Sequence, residues 1–329
     1  MKFSIIIPVY NRPEEVKELL ATLARQSFRD FEVLVVEDGS SIPCHQEVEA
    51  FSEVFPLRYF VKENGGPAQA RNYAAERAKG EYLIILDSDC VLPDGYLSAV
   101  AEALSADQTD AFGGPDRAHE SFTPIQKAIN YAMTSFFTTG GIRGGKKKLD
   151  RFFPRSFNMG VRREVFQQLG GFSNMRFGED VDFSMRLFES GFRSSLFPEA
   201  WVWHKRRTDL RKFFKQVHNS GIARIHLWNR HPGSLKVVHL LPAVFTVGVA
   251  VLLLGAFVCQ WALLPLLLFA LIIFVDASLR ERSLRVGVLA VAASLVQLTG
   301  YGSGFLRAWW RCHVMWNEEC AAFKKNFYQ

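Results

Sequence analysis

The chain has 329 residues, enough for one sizeable domain and an appendage. Its 39 Lys and Arg against 33 Asp and Glu leave a net charge of +6, and no helix-turn-helix, zinc-finger or RRM pattern accompanies that excess, which argues against nucleic acid as a partner. Five cysteines, odd in number and without CxxC spacing, speak against both a disulfide framework and a zinc site and fit a reducing cytosol.

Phe3–Val9 (FSIIIPV) is a β-branched run and reads as a strand. It opens the chain without the pattern of a secretory signal, so this part is expected to stay on the side where it is made. Val16, Leu19, Leu20 and Leu23 stand at helical spacing within residues 13–26, and a second strand follows over 31–36. Further strands are expected over 57–61 and Tyr82–Leu86, with a helix over 67–78 between them. Strands alternating with helices imply βαβ units and a mainly parallel sheet, in which ligands sit beyond the carboxyl ends of the strands. Polar clusters fall at three such ends: Tyr10-Asn11-Arg12, Glu37-Asp38-Gly39-Ser40 and Asp87-Ser88-Asp89.

Residues 140–155 are glycine-rich and cationic, and read either as a solvated loop or as a lid that orders on an anionic diphosphate. A helix is expected over 163–169, and another from Glu179. Residues 205–236 hold nine Lys or Arg and one acid, Asp209. Within them Leu210, Phe213, Phe214, Val217, Gly221, Ile225 and Trp228 mark an amphipathic helix, expected to lie in a membrane interface. Residues 237–275 carry no Asp, Glu, Lys or Arg, long enough for two spans turning near Cys259-Gln260. A third apolar stretch, 286–305, is weakened as a span by Gly300, Gly302 and Gly304. The basic link Arg280-Glu281-Arg282 with Arg285 falls on the cytoplasmic side by the positive-inside rule, and so does the 205–236 segment.

Asp87 and Asp89, two carboxylates at i and i+2 after a buried strand, want a cation. Mg²⁺ or Mn²⁺ is held by one or two such groups together with substrate phosphates. Taken in order, Ser4-Ile5-Ile6-Ile7-Pro8-Val9-Tyr10-Asn11-Arg12, Val36-Glu37-Asp38-Gly39-Ser40-Ser41, Asn64-Gly65-Gly66-Pro67 with Arg71-Asn72, Leu86-Asp87-Ser88-Asp89 and Gly178-Glu179-Asp180 resemble a family 2 glycosyltransferase with the GT-A fold. The likeness covers about residues 1–207.

That resemblance implies a Rossmann-like α/β catalytic domain over 1–207, then an interface helix and basic linker (208–236), two to three transmembrane segments (237–306) and a tail (307–329). It implies an inverting, metal-dependent transfer of one sugar from a nucleotide-sugar, a UDP-sugar by the uracil role of Asp38, to a lipid-linked glycan acceptor. The acceptor is read from the membrane anchor, and the setting is the cytoplasmic face of the plasma membrane. Pro8, Tyr10, Arg12, Asp38, Gly66, Arg71 and Asp87 would bind the donor. Asp89, Asp87 and His204 would hold Mg²⁺ or Mn²⁺, with Cys90 where this family often has a second acid. Asp180 would be the general base, with Glu179 beside it, and Asn158, Gly160 and Arg206 would line the acceptor or diphosphate side. By themselves Asp38-Gly39-Ser40 also reads as a turn, Asp180 as a helix cap and His204 as an interfacial histidine. The rivals are a polyprenyl-phosphate sugar synthase and, from another class, a sugar nucleotidyltransferase.

Overall fold

The computed structural model describes residues 1–117, 122–139, 152–175, 177–205 and 207–316. These fall into two compact units, one from 1–117 and 152–205, the other from 122–139 and 207–316.

The first unit begins β1 (Phe3–Val9), α1 (Pro13–Ala24), β2 (Phe31–Asp38), α2 (His45–Glu49), β3 (Leu57–Lys62), α3 (Pro67–Ala75) and β4 (Tyr82–Leu86). β5 (Cys90–Val91), α4 (Tyr96–Ala106), β6 (Ala111–Gly113) and β7 (Asp116–Arg117) follow. Seven strands form one sheet in the order β3-β2-β1-β4-β8-β6-β9, where β8 is Asn158–Arg162 and β9 is Ser194–Leu196. β3, β2, β1 and β4 are parallel, and β8 runs antiparallel between β4 and β6. The mainly parallel sheet expected from the βαβ pattern is therefore present. Alternation along β1 sends Ile5 and Ile7 to a core shared with α1 and α4, and Ile6 to the opposite core with α3. Both faces are covered, which is why these strands read as unbroken apolar runs. Proline stands in the first turn of α1 and of α3, where its missing N–H costs nothing.

Two helices complete that unit, α7 (Arg163–Gln168) and α8 (Glu179–Glu189). A small second sheet sets β10 (Val202–His204) between β5 and β7, antiparallel to the first and parallel to the second.

The second unit is helical: α5 (Pro124–Thr134), α6 (Phe136–Thr139), α9 (Leu210–Arg230), α10 (Val237–Gly255), α11 (Leu264–Glu281) and α12 (Leu284–His313). Residues 122–139, which the sequence reading left inside the catalytic domain, belong here. The reason is packing, since Ala128, Ile129, Tyr131 and Ala132 of α5 are buried in one cluster with Phe213, Ile273, Ala277 and Ala290. Among the described residues, three segments are long and apolar enough to cross a membrane: Val237–Gly255, Gln260–Glu281 and Leu284–His313.

Three expectations about α9 and α12 change. Gly302 and Gly304 do not weaken α12; they bring neighbours close. A Cβ on Gly302 would meet Pro242 O at 2.2 Å, and one on Gly304 would meet His218 O at 2.0 Å. Phe213, Val217 and Ile225, assigned to a lipid-facing stripe, are buried within the helical unit. α12 also takes in residues 307–313, which had been placed in a tail.

Candidate active site

Ends of β1, β2 and β4 converge as the parallel sheet requires. Asn11 has φ +54°, a left-handed conformation that asparagine tolerates. That bend lets its N–H donate to Ser40 Oγ at 2.7 Å, while its Oδ1 accepts from the Ile42 N–H at 2.9 Å. The loops after β1 and β2 are thereby fixed to each other. Glu37 anchors the second loop further, accepting from the Cys44 N–H at 2.9 Å and the Tyr59 hydroxyl at 3.0 Å.

Asp38, at the end of β2, is buried. Its oxygens accept from the Gly65 N–H at 2.9 Å, the Gly66 N–H at 2.7 Å and Lys62 Nζ at 2.7 Å. The carboxylate assigned to a nucleotide base thus also organises the Asn64-Gly65-Gly66 turn, where Gly66 has φ +93°. Pro8 is buried in the ladder opposite Val36, and Tyr10 is half-buried at the end of β1.

Four acids form the centre, each ion-paired to an arginine. Arg12 Nη1 meets Asp89 Oδ2 at 2.5 Å. Arg71 joins two of them, Asp87 at 2.7 Å and Glu179 at 2.8 Å, and Arg155 Nε meets Asp180 at 2.8 Å. Arg71 is only 3% exposed. Rather than presenting a free guanidinium to a donor, it ties the β4 end to the start of α8. Its Nε has no partner among the described residues.

His204 is carried in by β10, opposite Cys90 of β5. Its Nε2 lies 3.2 Å from Asp89 Oδ1, and its ring stacks on Phe157 at 4.9 Å between centroids and 14° between planes. Asp89, Cys90 and His204 offer ligand atoms within 4.8 Å of one another. Burial raises the pKa of Asp89, but His204 and then Arg12 outweigh it and hold the group well below the usual carboxylate range. The Cys90 thiol is pushed far up by burial and by the Asp89 charge, and donates to Phe157 O at 3.3 Å. One ionised carboxylate and one imidazole, with the thiol kept protonated, suit Mn²⁺ better than Mg²⁺, which prefers oxygen alone. The Arg12 guanidinium already places positive charge against Asp89. Asp87, turned to Arg71, stands outside this ligand group.

Asp180 is the second residue of α8, whose N-cap, Gly178, has φ +82°. Glu179, Asp180 and Asp182 all lie in the first turn, where the helix dipole favours negative charge. Burial raises the pKa of Asp180, yet the Arg155 charge and the Ser156 N–H, 3.3 Å away, bring it below its ordinary value.

Asn158 and Gly160, expected on the acceptor or diphosphate side, both make structural contacts in β8. The Asn158 amide is spent on Ala200 O at 2.7 Å and the Tyr96 hydroxyl at 2.6 Å. Gly160 lies under the Phe112 ring, which a Cβ would meet at 2.0 Å. Arg206 and the glycine-rich residues 140–151 lie outside the described residues. Sequence reasoning missed the pairings of Arg155 and Phe157; the one available signal for Arg155 was its place in the cationic 140–155 stretch.

The family described as Glycosyl transferase family 2 matches residues 4–170. Glycosyltransferase AglE of Haloferax volcanii is 27% identical over 250 residues, 74% of this chain and 80% of that protein. The poly(ribitol-phosphate) beta-N-acetylglucosaminyltransferase TarS of Staphylococcus aureus is 37% identical over 114 residues, 33% of this chain and 20% of that protein. A crystal structure of TarS 1–349 in complex with UDP-GlcNAc aligns at 18% identity and TM-score 0.50, covering 93% of this chain and 91% of that one. The mannosyltransferase PcManGT from Pyrobaculum calidifontis, in complex with GDP-Man and Mn²⁺, aligns at 18% identity and TM-score 0.68, covering 94% of this chain and 87% of that one. These structural likenesses establish the GT-A-like fold.

Proposed function

The chain belongs to glycosyl transferase family 2, and from that membership we propose that it transfers one sugar, with inversion, from a nucleotide-sugar to an acceptor hydroxyl, with Asp180 as the general base. The observation that carries this is the Asp180 carboxylate, 6% exposed, kept ionised by Arg155 and set at a helix start. Family membership makes the chain a glycosyltransferase and sets the nucleotidyltransferase reading aside.

In one displacement the acceptor hydroxyl gives its proton to Asp180 while its oxygen bonds to the anomeric carbon. The bond from that carbon to the diphosphate oxygen breaks, and the nucleoside diphosphate leaves from the opposite face. Asp89 and His204 would hold a divalent ion, which when bound supplies positive charge to the leaving diphosphate. Arg12, drawn off Asp89, would meet the same anion, while Arg71 holds Asp87 and Glu179 in register.

A nucleotide-sugar donor is supported by the sugar nucleotides bound to TarS and PcManGT. These differ in base, and UDP is proposed here on Asp38 alone. The three apolar helices support a lipid-linked glycan or a polyprenyl phosphate as acceptor and a plasma-membrane setting with the catalytic unit inside.

The test uses the full chain purified in detergent, with Mn²⁺ or Mg²⁺ and a panel of UDP-, GDP- and dTDP-sugars, reading nucleoside diphosphate release. Release should require the ion and be abolished in Asp89→Ala. Failure to bind any sugar nucleotide would sink the proposal, whereas a GDP preference would overturn only the role given to Asp38.

A further inference from the structure

The helical unit buries a charge that its described residues leave unmatched. Arg224, near the end of α9, is 9% exposed. Its Nη2 donates to Ser234 Oγ at 3.1 Å, Nε has no partner, and no carboxylate pairs with it among the described residues. Burial pulls its pKa below the usual arginine value, with Tyr301 acting the other way. The same stretch of α9 takes part in an apolar cluster, in which Ile225 packs with Ala243, Phe305 and Ala308 and with Trp228 and Leu235. A buried guanidinium without a counter-charge is costly, and an arginine fork is the geometry that takes a phosphate.

What lies next to Arg224 points to the kind of anion. Ser234 and Lys236 sit in the turn between α9 and α10, and Lys236, exposed, is the N-cap of α10. The Lys236 N–H donates to His239 Nδ1 in the first turn of α10 at 3.0 Å, and Arg224 reaches Ser234, two residues before Lys236. The positive end of that helix is thus joined by two cations. From the same end an apolar stripe of exposed Val237, Leu240, Leu241 and Val244 runs down a segment long enough to span a bilayer. A cationic head above an exposed apolar stripe matches a ligand with a phosphate at one end and hydrocarbon at the other.

We infer that Arg224, Ser234 and Lys236 form a binding site for the phosphate headgroup of a membrane lipid, whose chain lies along α10. The site is read from the helical unit alone; that its occupant is the acceptor, a polyprenyl phosphate or diphosphate, rests on the glycosyl-transfer reading.

The full chain in phosphatidylcholine nanodiscs, without donor, is tested for retention of undecaprenyl phosphate, of phosphatidylglycerol and of added inorganic phosphate. Native mass spectrometry should show undecaprenyl phosphate retained, with affinity lowered about tenfold or more in Arg224→Gln. Lys236→Gln, at an exposed position, should weaken it severalfold. Lys212→Gln, exposed on α9, should change nothing. Unchanged affinity in Lys236→Gln with a folded or misfolded Arg224→Gln, or an equal loss in Lys212→Gln, would overturn the site. Inorganic phosphate binding as tightly as either lipid would overturn the lipid assignment. A protein that retains the lipid but binds no sugar nucleotide would instead remove the glycosyl-transfer reading and leave this site standing.

Discussion

Glu179 and Asp180 are adjacent in the chain and opposite in electrostatics. Burial raises both, but Arg155 and the Ser156 N–H bring Asp180 below its ordinary value. For Glu179 burial outweighs the pull of Arg71, and the Asp180 charge adds to the rise. Asp180, lowered, therefore contributes stability above its unfolded pKa of about 3.9, lost as pH falls through the folded value. Glu179 has the reverse sign: its contribution is present at low pH and lost as pH rises through its raised folded value. If Asp180 is the base, Asp180→Asn should lower turnover about 10²- to 10⁴-fold with donor affinity, by calorimetry, unchanged. Arg155→Gln removes the stronger of the two groups holding Asp180 ionised, so the acid limb of kcat/KM should move to higher pH. An unmoved limb would mean that some other group titrates there. At this scale Asp87 and Asp89 were legible because an i, i+2 acid pair after a buried strand has few other uses. Arg155 was not, because its partner lies 25 positions away and nothing local marks the pair.

Elements were legible in proportion to their length. β1, β2 and β4 showed as β-branched runs because both sheet faces are buried. β5, β7 and β10 have two or three residues each, too few to show a period of two, yet β10 delivers His204. The glycines of α12 misled the sequence reading for a physical reason: in an isolated span glycine is only a weak helix former, and its value appears when another helix comes close. Gly302→Val would drive a side chain into Pro242 O and Thr246 Oγ1 of α10. It should lower the stability of the detergent-solubilised protein by about 1–3 kcal/mol in thermal or denaturant unfolding. A neutral effect would show that α10 and α12 do not pack in the membrane as they do here.

Over the whole molecule, the positive-inside rule would place the Arg280–Arg285 link in the cytoplasm and the turn between α10 and α11 outside. That turn holds Cys259, which is exposed, whereas Cys44 and Cys90 are buried. In a Cys312→Ser, Cys320→Ser background, intact cells should therefore take up a membrane-impermeant maleimide at Cys259. Arg282→Cys, in a background also lacking Cys259, should label only after permeabilisation. The opposite pattern would invert the topology and place the catalytic unit outside. The site's reach along the chain is equally telling: the family match ends at residue 170, before Asp180 and His204. The same spread governs α5, an early segment whose partners come late. Its Tyr131 hydroxyl donates to Asp276 at 2.6 Å across 145 positions. At a synthesis rate of about 5–20 residues per second, the ribosome finishes α5 roughly 7–30 s before that aspartate exists. Through that interval Ala128, Ile129 and Ala132 have no α11 or α12 to cover them. The nascent chain carries an apolar helix ahead of its partners, and its yield in the cell should depend on chaperone or membrane-surface capture during translation.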